Sequence, residues 1–283
     1  MGIQNGYGAL RRVYVRPPRI EDADAWQEYA WRARPDPDAA TAQHQAFRLA
    51  LSQAGAEVVV GTTPVPGDID AQFAYDPTLV IDDGVILLRS GKPGRRAEPE
   101  VVETDLNAAG VPTVGRMEGD ALADGGDMFF LDPRTLLVGI SYRTNPPAVK
   151  QLTALLEPRG IDVIAFDLPH FHGPGECLHL MSSISPLDAD LALVYLPLTP
   201  VRLLGLLHER HVGIVEVAEE DFDTLGPNVL AVAPRSVLAI EGNDATNDNM
   251  RAAGVEVRTF RGDHICTIGD GGPTCLTRPL DRD

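Results

Sequence analysis

The chain has 283 residues, 44% of them hydrophobic, and 41 Asp and Glu against 24 Lys and Arg give it a net charge of −17. That length supplies a sizeable core. The spread of acidic charge, with no basic stripe, argues against nucleic acid and anionic membranes and favours a cationic small molecule as partner. Three cysteines without paired spacing suit a reducing compartment better than a disulfide framework.

Met1 to Pro18 is polar, carries Arg11, Arg12 and Arg16, and holds no signal-peptide hydrophobic region. Apolar runs such as Leu191 to Leu198 are far too short to span a bilayer. The expectation is a soluble, cytoplasmic protein. Leu10 to Val15 reads as a strand. Residues 20–45 are rich in Pro and Asp, include Trp26, Tyr29 and Trp31, and fit no repeating unit. They are expected to cap one face or to form a contact in a homodimer.

From residue 47 onward a pattern recurs five times: a short amphipathic helix, a break, and a β-branched strand. The copies are Phe47 to Val60, Val102 to Val114, Gln151 to Ala165, Leu203 to Val217 and Asn249 to Phe260. Gly55, Gly110, Gly160 and Gly254 stand at four of the breaks, where a helix C-cap needs positive φ, and His211-Val212 at the other. Between copies lies a strand, a polar turn and a second strand: Thr78 to Leu88, Met128 to Ile140, Ser182 to Leu196 and Asn228 to Ile240. The fifth hairpin is expected to pair Thr274 to Arg278 with Leu10 to Val15, closing a ring and removing open sheet edges. The predicted fold is a single α/β domain over residues 1–283, a five-bladed propeller of ββαβ-like modules with pseudo-five-fold symmetry.

The most polar, glycine-rich residues fall just before the first strand of each module. They are Asp68 to Asp76, Asp124-Gly125-Gly126-Asp127, Glu176-Cys177-Leu178-His179 and Gly269 to Cys275. Equivalent positions in a cyclic array face one place, the mouth of the central channel. A cysteine, a histidine and several aspartates should therefore converge there, a set suited to covalent catalysis on a cationic substrate. Cys275 follows Gly269-Asp270-Gly271-Gly272-Pro273, a corner that lets a ligand approach closely. The competing reading is a small buried residue at a strand start.

Asp124-Gly125-Gly126-Asp127-Met128-Phe129-Phe130, Leu178-His179-Leu180 and Asp270 to Cys275 resemble three motifs of the guanidine-modifying superfamily on the pentein fold. Gly91 to Arg96 and Ser141 to Asn145 extend the likeness, which is greatest to the dimethylarginine dimethylaminohydrolase family. The resemblance implies that Cys275 attacks a guanidino carbon to form a covalent thiouronium. It implies His179 as acid and base and Asp124 as the group that orients it. Two acceptors on Asp76 facing two N–H donors would make a planar bidentate contact with the guanidinium. By resemblance, Asp70, Phe73 and Asp270 surround the amino end and side chain of the substrate, and Arg95 and Arg143 clamp its α-carboxylate. The implied reaction turns N-methylated arginine into citrulline and an alkylamine, without a metal or organic cofactor.

Two departures bear on the substrate. Tyr75 stands where dimethylarginine hydrolases usually have a glutamate, and Met181 where arginine deiminases carry a second guanidinium-binding aspartate. Free arginine offers more N–H donors that need acceptors, so the loss of that aspartate counts against it. An arginine deiminase-like or citrulline-hydrolysing activity is the alternative within the superfamily, and a non-catalytic binding propeller is a more remote one. His170, His172 and Cys177 have the ligand types for zinc, but no pair has tight metal-site spacing.

Overall fold

The computed structural model describes residues 3–283; Met1 and Gly2, at the start of the polar opening segment, lie outside it. Five three-stranded sheets form the blades of an α/β propeller. The first blade holds β3 (Thr78–Ile81), β4 (Gly84–Leu87) and β5 (Thr113–Arg116); the second β6 (Met128–Asp132), β7 (Thr135–Ile140) and β8 (Asp162–Asp167). The third holds β9 (Ile184–Asp188), β10 (Leu191–Val194) and β11 (Gly213–Glu216); the fourth β12 (Leu230–Ala233), β13 (Ser236–Ile240) and β14 (Glu256–Phe260). In each, the first two strands form an antiparallel hairpin and a helix returns the chain to a parallel third strand. The fifth blade joins β15 (Thr277–Arg282) antiparallel to β1 (Leu10–Val15), which pairs parallel with β2 (Glu57–Val60). Ring closure by the first and last strands therefore stands as expected.

The crossover helices are α1 (Pro37–Gln53), α2 (Glu98–Ala108), α3 (Pro146–Leu156), α4 (Val201–Glu209) and α5 (Asp244–Ala252). Asn145 caps α3 by accepting from Ala148 N at 3.1 Å, and Pro146 supplies a preset φ in the first turn. Leu152 and Leu156, one turn apart, are fully buried against Leu79, Ile86, Met128 and Leu136 of two neighbouring blades. Each such leucine contributes about 1.5–3 kcal/mol. The chain leaves the helices at Gly55, Gly110, Gly160, His211 and Gly254, all with positive φ, so the five breaks are αL turns. No helix among the described residues is long and apolar enough to cross a membrane.

Two boundaries differ from the sequence reading. Helix α1 begins inside the segment 20–45, because Asp36 accepts from Ala39 N at 2.8 Å and starts a helix at Pro37. The closing strand begins at Thr277 instead of Thr274. Leu276 N bonds to Gly272 O and Thr277 N to Thr274 O, so Cys275 sits in a turn ahead of the strand.

Candidate active site

The turns that enter the blades supply the site. Asp76, Gly126, Asn228 and Cys275 each stand two residues before the first strand of their blade, β3, β6, β12 and β15. In the third blade a 3-10 turn at Leu180–Ser182 intervenes, and His179 precedes it. Equivalent positions in the repeat thus face a common centre.

Asp124 is fully buried. It accepts from Gly91 N at 3.3 Å and Arg143 Nη1 at 3.2 Å, and its Oδ2 lies 3.4 Å from His179 Nε2. Burial alone would raise its pKa, but the hydrogen bond and charge of His179, with Arg143 and Arg95, hold the carboxyl well below the usual range. Burial pushes the His179 imidazole down, yet Cys177, Asp76, Asp127 and the bond to Asp124 overcome it and raise it well above its ordinary value. The protonated form is the one this pocket stabilises. Gly126 makes the arrangement possible: a Cβ there would fall inside contact distance of His179 Nδ1.

Cys275 is half-buried beside this pair, and Asn228 Nδ2 donates to its Sγ at 3.3 Å. Burial and the charge of Asp76 push its thiol up to about 11, against the opposing pull of His179, Gly272 and Asn228. The balance in this pocket favours the neutral thiol. Its backbone is anchored too, since Tyr75 N bonds to Cys275 O at 3.1 Å. The glycine corner has a steric reason: Gly271 packs directly on the Phe73 ring, and any side chain would collide with it. Phe73 lines the cavity beside Cys275 and leans on Trp31, ring centroids 5.8 Å apart.

Asp76 uses one carboxylate oxygen to accept from Gly126 N at 2.8 Å and the other to pair with Arg95. Four lone-pair positions leave room for a further two-donor ligand. The two arginines expected to act as a clamp are not equivalent. Arg95 is 3% exposed and each of its nitrogens meets Glu98, Asp76 or the Phe73 carbonyl. Arg143 spends one nitrogen on Asp124 and borders the cavity. Asp70 accepts from Trp31 Nε1 at 2.7 Å and from Lys92 Nζ at 2.5 Å. Asp270, with φ of 58°, pairs with Arg32 at 2.6 Å.

Two chambers meet at Cys275, Cys177, His179, Glu176 and Asp270. One is charged, walled by Asp70, Asp76, Lys92, Arg95 and Arg143. The other is the more apolar, walled by Phe171, Leu178, Met181, Phe222 and Leu225, with Arg32, His172 and Asp223 also on it. Segment 20–36 edges the charged chamber, where Lys92 Nζ donates to Tyr29 O at 2.8 Å and Arg32 N to Ile268 O at 2.7 Å.

All nine residues singled out in the sequence lie around this centre. The sequence reading missed three neighbours. Asn228 has a legible signal, its place two residues before a blade's first strand. Lys92 and Trp31 have none, because their contacts to Asp70 come from distant segments. Cys177, whose stretch the sequence did place here, has its sulfur 3.4 Å from His179 Nε2. Among the described residues His170, His172 and Cys177 do not come together at metal-ligand distance, and His170 Nδ1 is bonded to the Tyr142 hydroxyl at 2.6 Å. Among the described residues the metal-ligand types that converge are Asp76, Asp124 and His179, already paired with Arg95 and Arg143.

The family model for arginine deiminase matches residues 62–199 and 202–282. An arginine deiminase of Listeria monocytogenes is 27% identical over 253 residues, covering 75% of this chain and 61% of the relative. The chain thus spans about three-fifths of the length of that relative. The Bacillus subtilis protein YkgA is 26% identical over 281 residues, 98% of this chain and 93% of its own. Among solved structures, a Pseudomonas aeruginosa dimethylarginine dimethylaminohydrolase in complex with citrulline has a TM-score of 0.78 at 21% identity, covering 95% and 98% of the two chains. The N-terminal domain of ArgZ, a cyanobacterial arginine dihydrolase, has a TM-score of 0.79 at 20% identity, covering 96% and 97%. These two share the fold.

Proposed function

The chain belongs to the arginine deiminase family, within the pentein superfamily, and from that premise we propose that it hydrolyses the guanidino carbon of an N-methylated arginine to citrulline and an alkylamine. The observation that carries the reading is the convergence of Cys275, the His179–Asp124 pair and Asp76 at one cavity. Burial, then the charge of Asp76, keeps the Cys275 thiol protonated; a guanidinium held by Asp76 neutralises that charge, so the substrate itself favours the thiolate. The thiolate adds to the guanidino carbon. Protonated His179 gives its proton to the departing amine as the C–N bond breaks, leaving an S-alkylthiouronium. Neutral His179 then takes a proton from water, the hydroxide adds to the same carbon, and the C–S bond breaks as the adduct's O–H proton passes to solvent, returning the thiolate and the neutral ureido product. Asp124 holds the imidazole in place throughout.

Arg143 holds the α-carboxylate, while Arg95 acts mainly by fixing Asp76. Asp70 and Asp270 face the α-amino end. Met181 beside the apolar chamber supports a substrate whose leaving nitrogen carries methyl groups. The deciding experiment is a panel of asymmetric dimethylarginine, monomethylarginine, arginine and citrulline, scored for citrulline, ornithine, ammonia and alkylamine. Alkylamine release from the methylated substrates should exceed ammonia release from arginine. Equal or reversed rates assign a deiminase activity, and ornithine from citrulline assigns the ureido hydrolase.

A further inference from the structure

Behind the catalytic cavity lies a second, smaller one of about 40 Å³. Tyr75, Met181 and Thr274 wall both and so divide them. Its other walls are mostly apolar, with Phe130 and Leu230 from the blades and Ile3 and Gly6 from the opening segment. Two charges face it, Arg278 and Arg282, 4% and 2% exposed.

The chain buries four arginines, and they fall into two kinds. Arg16 pairs with Asp105, and Arg95 with Glu98 and Asp76. Among the described residues neither Arg278 nor Arg282 has a carboxylate within ion-pair distance. Arg282 Nη1 donates to the carbonyls of Gly8 at 2.6 Å and Ala231 at 2.9 Å. Arg278 donates to the Tyr75 carbonyl and stacks 3.6 Å over its ring, but its buried Nε meets no acceptor. Asp76 is felt by Arg278, yet both its oxygens are engaged by Arg95 and Gly126. Carbonyl dipoles satisfy donors without cancelling charge. Two buried cations lining one small apolar cavity repel each other and carry a desolvation cost that a counter-ion removes.

We propose that this cavity binds a small monovalent anion of halide size on Arg278 and Arg282. Its volume admits about three water-sized particles, which excludes a phosphate ester or an amino acid. The Arg278 Nε supplies a free N–H for the ion. Through the Tyr75 stack, and the bond from Tyr75 N to Cys275 O, the ion would brace the floor of the catalytic cavity. The inference does not depend on the reaction proposed above.

Two measurements on the full chain test it. Crystals soaked in sodium bromide should show an anomalous peak against the Arg278 and Arg282 guanidinium groups. Thermal unfolding at constant ionic strength should show Tm rising saturably, by about 2–4 °C, as gluconate is replaced by chloride. Arg278→Gln and Arg282→Gln should each lose both the peak and the chloride response. No anomalous density in the cavity overturns the proposal, as does a chloride response that both variants retain. A bromide peak with no effect of chloride on the Tm means an adventitious ion only, and overturns it as well. If neither variant folds, the wild-type peak and Tm response still decide.

Discussion

The side-chain amide of Asn228 donates to the Cys275 thiol at 3.3 Å while its carbonyl accepts from Thr274 N at 3.2 Å, so one residue of the fourth blade positions the thiol of the fifth. A donor on sulfur favours the thiolate, and its removal should raise the Cys275 pKa. Asn228→Ala should move the pH profile of Cys275 alkylation by iodoacetamide upward by about 1 unit, the worth of one such bond. An unmoved profile would show that the bond does not act on the sulfur.

Two cysteines and His179 should separate cleanly. Cys275→Ser should abolish turnover and never acquire substrate mass, because a hydroxyl near neutral pH is barely ionised. Cys266→Ser should keep its activity per folded molecule, since Cys266 is fully buried in the core between the fourth and fifth blades. His179→Ala should still trap substrate on the Cys275 peptide without releasing product. Intact-mass spectrometry reads all three, and an adduct on Cys177 instead would refute the assignment of the nucleophile.

Gly126→Ala tests the fit between the second blade and the third. The added methyl would meet His179 Nδ1 and lie 3.0 Å from Asp76 Oδ1, while the glycine's own φ is an ordinary negative one. Activity should fall by about 100-fold through displaced catalytic groups. Urea unfolding should show the blade intact, and near-normal kcat would mean that the imidazole can move aside.

The module order and the ring closure were legible because each blade repeats one period of helix, glycine and strand. The meeting of Asp124, His179 and Cys275 was legible for the same reason: each stands in the loop that enters its blade. What escaped was everything fixed by side chains crossing the period. Arg95 and Arg143 read as a pair from their motifs, but only the fold reveals that Glu98, one helical turn from Arg95, occupies its guanidinium. The start of α1 was hidden because Asp36-Pro37, a helix-initiating pair, sits in a proline-rich stretch.

Arg143→Ala should raise KM for an amino-acid substrate about 10- to 150-fold, the cost of leaving a carboxylate without its charged partner. Because Arg143 also bonds Asp124, kcat should fall too. Agmatine, lacking the carboxylate, should be a poor substrate of the parent and respond far less in KM. Equal KM effects on both compounds would place the carboxylate elsewhere.

Asp127 sets a pH dependence of stability. Burial pushes its carboxyl up to about 6 from an ordinary value of 3.8, although Leu180 N and Ser141 Oγ donate to it. A folded-state pKa above the unfolded one favours folding fully below pH 3.8, and that contribution is lost as the pH climbs through 6. The Tm of Asp127→Asn relative to wild type should therefore rise between pH 4 and pH 7. A constant difference across that window would mean that Asp127 titrates normally.

The bond between Val15 and Thr277 strands has a kinetic consequence. Four blades are built from segments close along the chain, and each can form from its own hairpin and crossover helix. The fifth joins strands far apart along the chain, so its loop-closure entropy is the largest and it should assemble last. Cys275 enters exactly that strand's turn. On refolding, secondary structure should therefore return before turnover does, and the reactive thiol would take its place only once the circle of blades is complete.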